Sequence, residues 1–244
     1  MNIVLRPRSI LVFLFGAIVV LLLAHLASQF FLFQLGWSYR NFWLIKLFDM
    51  GREGNIPTLY STLLLLSCTL LLCFIYRHKK EGDAPGATYW LVLATIFLFL
   101  GIDEMTTIHE KMIKPLRAAL DTSGIFYFAW VLPYGIFLLA VTLIFLRFVL
   151  SLPTRIRNLV LLAGGLYAVG VVGFEMLGGW YADLVSTRTP TYALIVIFEE
   201  SLEIAGLSVF VYALLSYFAG ERKDILIAIT TVLESPRSNT RDDP

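Results

Sequence analysis

The stretch Thr189–Gly220, TPTYALIVIFEESLEIAGLSVFVYALLSYFAG, decides how this chain folds. A helix needs about 20 apolar residues to cross a bilayer core of roughly 30 Å. This stretch is longer than that, and its only charges are Glu199, Glu200 and Glu203. An acidic residue at the centre of a membrane helix costs about 2.5–3.5 kcal/mol, so three cost about 8–10, against roughly 4–8 kcal/mol in favour from the aliphatic and phenylalanine side chains. Alone, the stretch is near break-even or worse. It needs partners inside a bundle, and intramembrane ionisable residues are first of all a functional hypothesis.

The rest of the chain supplies the other helices. Ser9–Tyr39, Gly54–Tyr76, Ala84–Ile102, Thr122–Leu146 and Asn158–Phe174 contain no Asp, Glu, Lys or Arg. Spans are expected near 9–34, 56–77, 87–108, 126–149, 158–179 and 190–218. The expected fold is therefore all-α, a polytopic bundle of about six transmembrane helices forming one domain over 1–220. Residues 221–244 would be a cytoplasmic amphipathic segment and polar tail. The first run is too long for the apolar part of a signal peptide, and a cut after Ala27 would leave His25 where a small residue is wanted.

Composition agrees. The chain has 244 residues, 58% hydrophobic and 15% charged, with a mean hydropathy of +0.79. Soluble domains are nearer about 25% charged. Soluble and disordered classes are excluded, and a net charge of +1 gives no basic surface for nucleic acid. Cys68 and Cys73 lie in the second span and read as small apolar residues. The glycines of the fifth span, from Gly164 to Gly179, read as sites of close helix packing.

Positive charge sets the expected orientation. With both termini cytoplasmic, twelve of the 19 Lys and Arg fall on inner segments and seven on outer ones. Trp37–Leu47 reads as an interfacial helix with Trp37 and Trp43 at the membrane boundary, and Asp224–Glu234 as an amphipathic helix on the inner surface.

On that topology the buried acids converge. At 1.5 Å per residue, Asp103 and Glu175 sit roughly 21 and 25 Å from the inner ends of their helices, and Glu199 and Glu203 roughly 13 and 20 Å from the outer end of theirs. Glu53 lies at the outer mouth. All fall mainly in the outer half. At about 100° per residue, Asp103 and Glu110 are expected on one face, and Glu199, Glu203 and Gly206 on one stripe. Eight carboxyls (Glu53, Asp103, Glu104, Glu110, Glu175, Glu199, Glu200, Glu203) face four nearby cations, Arg52, Lys111, Lys114 and Arg188. Lys111 is positioned to pair with Glu104, and Lys114 with Glu110. The excess must be protonated or held by a metal.

Asp103, Glu110, Glu199 and Glu203 are the expected core ligands, with His109 and Glu175 next; Glu53, Glu104, Glu200 and His25 are secondary candidates. His109 reads equally well as part of a solvated helix end that would include Glu110, and His25 reads first as a residue hydrogen-bonded to a neighbouring helix and only second as a ligand. A carboxylate-rich set with one or two His suits Fe, Mn, Mg or Ca better than structural Zn. The Glu-x-x-His pairs of di-iron bundles and the His-x-x-x-His pair of ceramidase-like hydrolases are both absent.

The segments REGNIPTLYSTLLLL, FLGIDEMTTIHE and FEESLEIAG resemble those of a widespread group of bacterial multipass membrane proteins of unknown function. The resemblance covers about Asp49–Phe210. It departs at Gly54, inside the Glu-Asn-(Ile/Leu)-Pro-Thr segment of the group. It implies a shared architecture and a bacterial inner membrane, and no activity. The expected function is a metal-dependent enzyme acting on a lipid-like substrate. The alternatives are a structural or assembly subunit with a polar core, and a cation- or proton-coupled transporter component.

Overall fold

A computed structural model describes residues 3–4, 6–36, 42–221 and 226–227. Its helices are α1 (Pro7–Phe33), α2 (Trp43–Phe48), α3 (Ile56–Glu81), α4 (Ala87–Thr106), α5 (Ile108–Leu120), α6 (Val131–Ser151), α7 (Thr154–Ala168), α8 (Glu175–Leu184) and α9 (Pro190–Glu221). A π-helical segment, Val169–Phe174, joins α7 to α8 without a break. Among the described residues, five helical units, α1, α3, α4, α6 and the continuous Thr154–Leu184, are long and apolar enough to cross a membrane. With α9, which is 32 residues long, they form the bundle.

The long helix α9 is the centre, packing against α1, α3, α7, the π segment and α8. Its second half is buried almost all round, with Ile204, Leu207, Val209, Phe210, Leu214 and Tyr217 in the core, as expected of a helix that is apolar on every face. The outward faces of the surrounding helices expose Val12, Phe13, Leu70, Phe74, Ile136 and Leu143, an apolar surface suited to lipid. Cys68 is fully buried and Cys73 half-buried.

Two glycines fix how closely α9 meets its neighbour. A Cβ on Gly206 would lie 2.8 Å from the Ala163 carbonyl oxygen and 2.9 Å from the Tyr167 nitrogen. A Cβ on Gly170 would lie 2.7 Å from Glu203 Cγ and 2.9 Å from the Glu199 carbonyl oxygen. Only glycine lets the backbones approach so closely. Gly164 and Gly165, by contrast, face open space, so the close-packing expectation does not extend to them.

Other sequence expectations are redrawn. The fourth span begins at Val131, after a 3-10 turn at Gly124–Phe126, rather than at residue 126. The third helix does not run to residue 108. It ends at Thr106, because Thr107 takes a left-handed conformation (φ +56°) and turns the chain into α5. The outer interfacial segment is helical only from Trp43, which is exposed; Trp37 lies outside the described residues. Most of Asp224–Glu234 also lies outside them. Its described part, Leu226–Ile227, is not helical but pairs antiparallel with Ile3–Val4.

Candidate functional site

The corner at Thr107 builds one side of the site. The Thr107 N–H donates to the Asp103 carbonyl oxygen at 2.7 Å, closing α4, and α5 starts at Ile108. The corner carries His109 onto Asp103. The His109 backbone N–H donates to Asp103 Oδ1 at 3.1 Å, and His109 Nδ1 lies 2.9 Å from Asp103 Oδ2. One carboxylate therefore holds both the backbone and the ring of the same histidine. Burial of the ring opposes its charge, but the hydrogen bond and charge of Asp103 outweigh this, and the His109 pKa lies above the ordinary histidine value.

A second connection starts from His109. Its ring packs on Trp130 at 4.8 Å between centroids, and Trp130 Nε1 donates to Glu175 Oε1 at 2.7 Å. Glu175 opens α8 directly after the π segment. An extra residue in a helical turn rotates the remainder of the helix, a device often found at functional sites. Glu175 and Glu199 face the same cavity.

The third side is the mouth. Asn55 caps α3: its side chain accepts from the Thr58 N–H at 3.1 Å and donates to the Asp49 and Arg52 carbonyl oxygens, each at 2.7 Å. Gly54, the departure from the resembled motif, has φ +71° and permits this turn. Thr58 Oγ1 donates to Glu53 Oε2 at 3.1 Å. Burial pushes the Glu53 carboxyl above its usual range, with His109 and Thr58 offsetting part of the rise.

These elements enclose one cavity of about 290 Å³. Glu53, Asp103, Glu104, His109, Glu110, Glu175, Glu199, Glu200 and Glu203 all line it. Nine of the ten candidate residues are thus brought together, from five separate segments. The stripe of Glu199, Glu203 and Gly206 is real, and the two close-approach glycines seat it against α7 and the π segment. The face expected for Asp103 and Glu110 is not, because the helix between them is broken at Thr107. Asp103 is buried and Glu110 exposed at the rim.

His25 is the tenth candidate, and it lies elsewhere. It is 1% exposed, its Nδ1 accepts from the Met50 N–H at 2.9 Å, and Asp49 Oδ1 is 3.7 Å away. It does not line the cavity: the connection after α2 folds back and takes its ring as an acceptor. The expected cation partners also differ. Lys111 Nζ donates to the Thr106 carbonyl oxygen at 2.6 Å, and no Lys114–Glu110 ion pair forms among the described residues. Nor do three His, Cys, Asp or Glu side chains, among the described residues, group closely enough to hold one metal ion.

Sequence reasoning missed Trp130, Tyr134, Tyr167 and Tyr192, which also line the cavity. An aromatic residue in an apolar run carries no cost signal, so nothing in the sequence separates these from core residues. Arg52, read as a cation at the mouth, is in the lining.

No curated protein and no solved structure matches the chain. A family match spans residues 11–218, from the first turns of α1 to the last of α9, and so includes every cavity-lining acid. The chain belongs to that family, described as a domain of unknown function (DUF8692).

Proposed function

We propose that the cavity is the reaction site of a membrane-embedded, metal-dependent enzyme acting on a lipid-like substrate. The observation that carries this reading is the convergence of eight carboxyls and one histidine on a single cavity. Isolated acids in a membrane are costly, and eight gathered around a space of small-molecule size point to use rather than accident. A divalent cation (Fe, Mn, Mg or Ca) would offset their excess charge, drawing ligands from Glu110, Glu175, Glu199 and Glu203 across the cavity. The Asp103–His109 pair suits the same chemistry. A carboxylate on one ring nitrogen fixes the tautomer and leaves Nε2 for ligation or proton transfer. The metal would polarise a bound water or a substrate oxygen. We place the protein in a bacterial inner membrane, both termini cytoplasmic, with the cavity in the outer half.

The test is elemental content. The detergent-purified protein is expected to carry near-stoichiometric metal, and Glu199→Gln combined with Glu203→Gln to lose it. Metal-free protein of undiminished stability would end this reading in favour of a structural subunit with a polar core. A cation- or proton-coupled transporter component is less favoured: the acids line only one end of the cavity, and the far wall is apolar.

A further inference from the structure

The cavity has a second, apolar half. Below the acids its wall is built from Phe97 and Leu100 of α4, Leu138 and Val141 of α6, and Leu207 and Phe210 of α9. Phe97 stacks on Phe210 at 4.8 Å and 11° between planes, forming a floor. Polar side chains at one end and a greasy chamber at the other make an amphiphile-shaped space.

The wall between α4 and α6 is incomplete. At the far end the two helices are pinned by rings: Tyr89 stacks on Phe148 at 4.8 Å and Trp90 meets it edge-on at 5.1 Å. Nearer the acids the pin is one distant ring pair, Phe99 and Phe137, 6.4 Å apart. Here lies an apolar cleft of about 390 Å³. Three of its lining residues, Ile96, Tyr134 and Phe137, also line the cavity, so these side chains stand between the two spaces. The cleft sits on the apolar outer surface beside Leu98, Ile102 and Ile136, all exposed. In a bilayer that surface meets acyl chains.

We infer that the cleft between α4 and α6 is a lateral portal, through which the acyl chain of a membrane lipid enters the apolar chamber while its headgroup stays among the carboxyls. The occupant is a lipid chain because the portal opens at the depth of the hydrocarbon and its lining is almost wholly apolar. The inference rests on the lipid-like substrate proposed above and supplies its route.

The experiment is photolabelling of the full chain in phosphatidylcholine vesicles containing a phosphatidylcholine with a mid-chain diazirine. Label is expected on Leu207–Phe210 of α9, which is sequestered from surrounding lipid. It is also expected on the outer face of α1, as the surface control. Ile96→Trp fills the portal, and Gly164→Leu fills the chamber from α7, where nothing lies within 4 Å of the added Cβ. Each is expected to abolish labelling of α9 and leave that of α1 unchanged. An unlabelled α9 in the wild-type protein, or α9 labelling that persists in both variants, would overturn the portal. Metal content distinguishes the two proposals: metal-free protein whose α9 is still labelled would sink the enzyme and keep the portal.

Discussion

The two halves of α9 present opposite solutions to the same problem. From Pro190 to Glu203 the helix carries three carboxyls and faces a cavity. From Ile204 to Tyr217 it is buried on nearly every side and carries no charge. Both halves belong to one unbroken helix, so backbone geometry does not separate them. Their neighbours do. Around the second half, α1, α3 and α7 close the packing. Around the first, the π segment, α8 and α5 leave a space. Carboxyls are tolerated where they have each other, water-sized room and Trp130 as a donor, and they are absent where there is only hydrocarbon.

The sharpest way to break this contrast is to move a charge across the boundary. Leu214→Glu places a carboxylate at a site 2% exposed, where the desolvation of an unpaired ion amounts to several kcal/mol. The expected outcome is loss of the monodisperse folded peak in size-exclusion chromatography. A well-folded variant would show that the second half is not dry.

A smaller effect is expected at the boundary itself. Gly206→Ala drives a methyl into the α7 backbone and should cost about 1–3 kcal/mol, read as a lower Tm. Gly164→Ala, on the same neighbouring helix but facing open space, should lower Tm not at all. Equal losses in the two variants would mean that close approach does not set the register of α9.

The smallest effect is at the cavity. The folded pKa of His109 is raised above its unfolded value of about 6.5. The Asp103 pairing therefore contributes fully below that pH and is lost as pH rises through the folded pKa. In metal-free buffer, Tm should decline across that window in the wild-type protein. Asp103→Asn should flatten the decline and lower the His109 pKa in an NMR titration, since only the charges of Glu53 and Glu104 then oppose burial. An unchanged pH profile would show that the pair is not a charge-coupled unit.

Much of the site was legible because charge in an apolar run is conspicuous. Glu199, Glu200, Glu203 and Glu175 stand out by insertion cost alone, and counting residues along each span brought them to a common depth. The Glu199–Glu203–Gly206 stripe was legible because that helix is regular. Where a helix is irregular the same arithmetic fails. Thr107 adopts a left-handed conformation that its residue type does not announce, and the resulting corner replaces the expected Asp103–Glu110 face with an Asp103–His109 pair. The π segment is equally silent in sequence, yet it aims Glu175 at Trp130. His25 reads from the sequence as a hydrogen-bonded interior residue, and it accepts from the Met50 N–H; its lesser reading as a ligand fails because position along one helix says nothing about azimuth against another.

The sequence by itself determined that the chain is a bundle of apolar helices, and that its acids must be gathered within it, because both follow from transfer free energy summed along the chain. Only the tertiary structure decided which of those acids meet, that aromatic residues bind them together, and that an apolar cleft between α4 and α6 lies against the chamber beneath them. Those facts depend on helix rotation, on one left-handed residue and on gaps between elements, and no local property of the sequence encodes a gap.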